Sequence, residues 1–117
     1  MIQLRTYELA VELYKECKRV RLPHFLMDQL LRASSSAALN LAEGYGKRTT
    51  KDRQKFFTIA LGSIREVQGI VDLEPETMER LREAFGDLPS VVRGLAQVYL
   101  AHGKTKEAEP LLASGGL

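Results

Sequence analysis

Between Ala33 and Ala38 the chain carries Ala-Ser-Ser-Ser-Ala-Ala, a run with no side chain larger than serine. Small residues let helix backbones approach closely, so this run belongs against another helix, within or between subunits. It opens the stretch Arg32 to Glu66, which reads as two helices joined by a short basic turn and organises the rest of the chain. Composition agrees with a helical protein. Leu, Ala, Glu, Lys and Arg abound, β-branched runs are few, and tryptophan is missing. A length of 117 residues suits one domain.

The first helix is expected from about Leu4 to Val20. Leu4, Tyr7, Val11 and Tyr14 recur at the spacing of one helical face, and Leu9, Leu13 and Val20 broaden it. Cys17 lies beside that stripe and reads as a small buried hydrophobe. Leu22-Pro23 should stop the helix, because a residue before proline avoids helical angles. The second helix is expected over Phe25 to Tyr45, with Met27, Leu30, Leu31, Ser34, Ala37, Ala38, Leu41 and Tyr45 as its core stripe. Another face carries Arg32, Ser36, Asn40, Glu43 and Lys47. This polar row is either a solvated face or a helix or subunit contact in which Asn40 fixes the register. Gly44 and Gly46 are expected to supply a left-handed helix end.

Thr49 and Asp52, spaced like a capping box, should open a third helix running to about Leu73. Phe56, Ala60, Ser63, Val67 and Ile70 form one of its stripes, with Phe57, Ile64 and Val71 beside it. Gly62, costly in a helix interior, suggests close approach by another backbone. Glu66 falls between core rows and needs a partner, for which Arg32 is the expectation. Pro75, followed by Glu76 and Glu79, suits the first turn of a fourth helix, with Met78, Leu81 and Phe85 keeping its period. Gly86-Asp87-Leu88-Pro89 interrupts that period before Val91 to Ala101 resumes it, so the last helix should be kinked or split. The expected organisation is a bundle over residues 1–102 and a partly mobile C-terminal extension over 103–117.

Chemistry-bearing patterns are sparse. His24 and His102 are far apart, Cys17 is the single cysteine, and no Glu-x-x-His motif occurs, so neither metal nor cofactor is expected. Ser34, Ser35 and Ser36 lack a nucleophile elbow, and Gly44 to Thr50 lacks P-loop spacing, so an enzyme is not expected. The N-terminal stretch lacks the apolar core of a signal peptide, and no run is long enough to span a membrane. A cytoplasmic protein is the expectation.

Charge is more informative. Residues 1–65 hold 12 Lys+Arg against 6 Asp+Glu, whereas residues 66–117 hold 5 against 9. Such asymmetry suits nucleic-acid contact on one face or head-to-tail self-association. Lys47, Arg48, Lys51, Arg53 and Lys55 cluster near the start of the third helix, where its dipole also favours anions, and are the candidate nucleic-acid-binding residues. Tyr45 could stack on a base beside them. Lys15, Lys18, Arg19 and Arg21 form a second basic group at the end of the first helix. Basic residues that merely aid solubility or complement a helix dipole are the plainer reading of both groups.

Arg32-Ala33, Asn40-Leu41-Ala42-Glu43-Gly44 and Ala60-Leu61-Gly62-Ser63-Ile64-Arg65-Glu66 resemble the family encoded in intervening sequences of bacterial 23S rRNA genes. The accessory variability proteins of diversity-generating retroelements share that family's fold. The resemblance covers roughly residues 4 to 73. It implies an all-α, up-down four-helix bundle assembling as a ring-like homo-oligomer, with a pentamer as the expected size. It also assigns Arg32, Asn40, Glu43, Gly44, Gly62, Ser63 and Glu66 to packing and assembly, and Ser36 joins them from the polar row. The expected function is a non-enzymatic accessory role associated with RNA or DNA without sequence preference. The alternative is a scaffold that docks a protein partner, such as a reverse transcriptase, through its acidic fourth helix. A second resemblance, of Leu95 to Leu112 to the middle of a tetratricopeptide repeat, has no further copy in the chain and reads as a helix end with a docking or mobile tail.

Overall fold

The computed structural model describes residues 2–85. These residues form four helices: α1 (Ile2–Cys17), α2 (His24–Tyr45), α3 (Thr50–Leu73) and α4 (Pro75–Phe85). No strand occurs among the described residues, as the all-α expectation requires. The interruption of the last helix at Gly86 to Pro89 and its continuation, the repeat-like segment, His102 and the C-terminal extension lie outside the described residues.

Among the described residues, α2 and α3 make the most extensive contact. Contacts step forward along α2 and backward along α3, with Arg32 beside Glu66, Ser36 beside Ser63, and Gly44 against Phe57. The two helices are therefore antiparallel. Small residues make the close fit: Ala33, Ser34, Ala37 and Ala38 are all buried, as the opening run of the sequence requires. Ser34 satisfies its hydroxyl within its own helix, donating to the Leu30 carbonyl at 2.8 Å, so its burial leaves no orphaned donor. Leu26, Ala33 and Gly44 extend the buried face beyond the expected stripe, while Met27, Leu31 and Tyr45 lie at its margin.

α1 packs on α2, and α4 touches both α3 and α1. The deepest stripe of α1 is Thr6, Ala10, Leu13 and Cys17, and Val20 in the following turn is buried with it. The expected stripe of Tyr7, Val11 and Tyr14 is only half-buried. Tyrosine places an apolar ring against the core while its hydroxyl stays near water, which suits the margin of a helix contact. α1 also stops earlier than expected. Arg19 N–H bonds the Glu16 carbonyl at 3.0 Å, a tightened last turn that ends the helix before Leu22-Pro23. Pro23 instead caps α2, with φ −52° and ψ 145°, and its carbonyl accepts the Leu26 and Met27 amides.

The glycines at the end of α2 differ from expectation. Gly46 ends the helix with φ −82°, an ordinary right-handed value. Gly44 lies inside the helix, where a Cβ would stand 2.5 Å from Phe57 Cε1 and 2.8 Å from Cδ1. Close packing, not a left-handed turn, requires glycine at Gly44. Conversely, nothing lies within 4 Å of a Cβ built on Gly62. No neighbour within the described chain accounts for that glycine.

Candidate nucleic-acid interface and self-association face

The turn between α2 and α3 is fixed by local interactions. Thr49 caps α3, accepting the Asp52 amide at 3.1 Å, as the capping-box spacing predicts. Arg53 Nε donates to the Lys47 carbonyl at 2.7 Å and pins the loop to the first turn of α3. Lys47 Nζ sits 3.3 Å from Glu43 and 5.1 Å from the centre of the Phe56 ring, while Lys55 Nζ lies 5.9 Å from the same ring.

These contacts divide the basic cluster by role. Arg48, Lys51 and Lys55 are exposed, whereas Lys47 and Arg53 are half-buried and hold the turn. Glu43 opposes the cluster through Lys47, in addition to Asp52. Helical spacing already places Glu43 four residues before Lys47, the favourable order for such a pair. Tyr45 is not a free stacking platform. Its ring meets Phe57 edge-on, with centroids 5.1 Å apart at 60°, and burial pushes its phenol well above the usual range.

Along the seam between the two helices runs a polar network. Arg32 Nη2 donates to Glu66 Oε2 at 2.7 Å, the expected pair. Ser36 Oγ accepts from Asn40 Nδ2 at 3.0 Å and from Ser63 Oγ at 2.8 Å. Asn40 also donates to the Ser36 carbonyl at 2.8 Å. Ser36 and Asn40 are half-buried and Ser63 is buried, so this part of the polar row is not a solvated face. Arg32 and Glu43, on either side of this network, are exposed.

Two apolar side chains stand exposed beside the seam: Leu39 at 68% and Ile59 at 43%. Helical spacing puts Leu39 beside Ser36 and Glu43, and Ile59 beside Gly62 and Ser63. An apolar residue within the spacing of a polar row is the signal that marks Leu39 in the sequence, and it was not included among the candidate residues.

Two members of the basic group at the end of α1 make local contacts. Arg19 lies 3.3 Å from Glu16, and Lys18 Nζ is 5.5 Å from the Tyr14 ring centre. His24, one residue before the expected start of the second helix, is the first residue of α2 and lies 3.4 Å from Asp28. Among the described residues, no group of three or more His, Cys, Asp or Glu is placed to hold a metal, and no helix is long and apolar enough to cross a membrane. Cys17 is fully buried, and burial is the main cause of a thiol pKa pushed up to about 12, so it offers no ready nucleophile.

The family model described as 23S rRNA-intervening sequence protein matches residues 2–90 of the chain. No curated protein and no solved structure matches it.

Proposed function

Because the chain belongs to the 23S rRNA-intervening sequence protein family, we propose that it is a non-enzymatic accessory protein whose α2–α3 turn contacts nucleic-acid phosphates. The observation that carries this reading is the basic turn. Arg48, Lys51 and Lys55 are exposed around the N-terminus of α3, and Lys47 and Arg53 brace the loop beneath them. Guanidinium, ammonium and helix dipole all favour phosphate there. Such contacts position a backbone without reading bases, so RNA or DNA would bind with little sequence preference.

One turn presents few charges and would bind weakly. In this proposal the chain forms an up-down four-helix bundle that assembles into a ring, a pentamer, and works in the cytoplasm. Exposed Leu39 and Ile59, with the open position at Gly62, supply a surface for another copy. Repeated turns around the assembly would add phosphate contacts and strengthen binding.

Light scattering after size exclusion, with and without mixed-sequence RNA at low and moderate salt, tests both parts. A stable oligomer that binds RNA at low salt and releases it as salt rises is expected. Neutralising the exposed Arg48, Lys51 and Lys55 together should abolish that binding while leaving the oligomer intact. An oligomer that ignores RNA would favour the second reading, a protein scaffold. Exposed Glu76, Glu79 and Glu83 on α4 support that alternative by offering an acidic face to a partner.

A further inference from the structure

At the far end of α2 from the basic turn, a cleft of ≈ 200 Å³ separates the α1–α2 turn from the start of α4. Arg19, Val20 and Arg21 line one side, and Glu76, Thr77 and Arg80 the other. Thr77 is only 2% exposed, and its hydroxyl has no hydrogen-bond partner. The Nε–H of Arg80 is also buried without one. Buried polar atoms are nearly always paired, so two orphaned atoms in the wall of one cleft call for a molecule that pairs them.

The surrounding charges define what that molecule is. Glu16 holds two guanidinium groups side by side, with Oε2 3.3 Å from Arg19 Nη1 and Oε1 3.4 Å from Arg80 Nη2. Arg21 adds a third guanidinium, and Glu76 adds a second carboxylate. Three positive charges against two negative ones leave the cleft net positive by one. A cation is disfavoured there, and an apolar ligand would leave the Thr77 and Arg80 groups orphaned. Each guanidinium keeps further N–H donors after pairing with Glu16, in the planar arrangement that suits phosphate oxygens.

The helix terminus itself contributes less. Pro75 has no N–H, and the Thr77 amide already bonds the Glu74 carbonyl at 2.9 Å, so α4 supplies mainly the field of its dipole. Glu76 in the lining repels an extended polyanion. We infer that this cleft is a binding site for a single small oxyanion of the phosphate class, held by Arg19, Arg21, Arg80 and the Thr77 hydroxyl. The ligand is free phosphate or the phosphate group of a small phosphorylated metabolite. This site is separate from the basic turn and does not depend on nucleic-acid binding there.

The test is an NMR titration of the full chain with inorganic phosphate, and in parallel with a nucleoside 5′-monophosphate, at constant ionic strength. Saturable shifts at Thr77 and Arg80 are expected, together with a phosphate-dependent rise in Tm. Thr77→Val should raise the Tm in phosphate-free buffer, because it removes an orphaned hydroxyl, yet weaken phosphate binding about tenfold. Arg21→Gln should weaken binding by a similar factor without disturbing the Glu16 pairs. Tighter binding of the nucleotide would assign the ligand to a phosphorylated metabolite, and equal binding to the free anion. No saturable shift at millimolar phosphate would overturn the inference, with water then filling the cleft. So would unchanged affinity in both variants, or shifts confined to residues 47–55.

Discussion

Gly44 and Gly62 both lie inside helices, yet opposite outcomes are expected on replacing them with alanine. A Cβ at Gly44 would drive into the Phe57 ring, which is 1% exposed and held edge-on by Tyr45. Gly44→Ala should therefore destabilise the chain by roughly 1–3 kcal/mol, the usual cost of overpacking a filled core. A Cβ at Gly62 meets open space, so Gly62→Ala should stabilise the dissociated chain by about 1 kcal/mol through helix propensity. Denaturant melts at low protein concentration check both, and a loss of stability for Gly62→Ala would show that another part of the chain approaches it. This contrast was hidden in the sequence. Both glycines read as special, but only the position of Phe57 across the hairpin shows which one is required by packing within the chain. Cys17 gives a second expectation at this scale. Its thiol rises from the ordinary 9.0 to about 12, chiefly by burial and slightly by Glu16, with the Ser34 hydroxyl acting against the shift. Below about pH 9 the thiol is protonated in both folded and unfolded chains and its contribution is constant. Between about pH 9 and 12 the unfolded thiol ionises while the buried one does not, so stability falls as pH rises. Urea midpoints measured from about pH 8 to about pH 11 should converge for wild type and Cys17→Ala, and parallel curves would contradict this cause.

At the scale of the elements, the hairpin of α2 and α3 was the most legible part. Thr49 and Asp52 mark the start of α3 by a mechanism that acts within four residues, and the small run from Ala33 announces a close contact. The buried face of α1 was less legible because bulk misleads. Tyr7 and Tyr14 outweigh Ala10 and Cys17 in apolar surface, yet close packing on α2 selects the smaller pair for the interior. The Arg32–Glu66 pair was legible from Glu66, a carboxylate set between core rows of α3. Its side chains remain 65% and 37% exposed, so water screens the attraction. A double-mutant cycle on Arg32→Ala and Glu66→Ala should give a coupling of roughly 0.2–1 kcal/mol, and strictly additive effects would mean the pair contributes nothing. The Ser36–Asn40–Ser63 network could not be placed in the same way, since the sequence left the polar row open between solvent and contact. Only the antiparallel register of α2 and α3 brings Ser63 onto Ser36.

For the molecule as a whole, the two halves of the proposal are linked, and one substitution separates them. If nucleic acid is held by many copies of a weakly binding turn, affinity depends on assembly as much as on local charge. Leu39 is 68% exposed beside the seam and far along α2 from its start, so replacing it should not disturb the core. Leu39→Arg places a charge where another copy is proposed to dock, which should dissociate the oligomer through desolvation and repulsion. The same substitution adds a positive charge to the chain. Charge alone would therefore strengthen RNA binding, whereas loss of assembly would weaken it. A dissociated variant with lower RNA affinity and a shallower salt dependence is the expected result, measured by light scattering and fluorescence anisotropy on one preparation. A dissociated variant that binds RNA as tightly as wild type would show that the turn acts alone. An intact oligomer would move the contact between copies away from Leu39 and leave that side chain an ordinary exposed leucine.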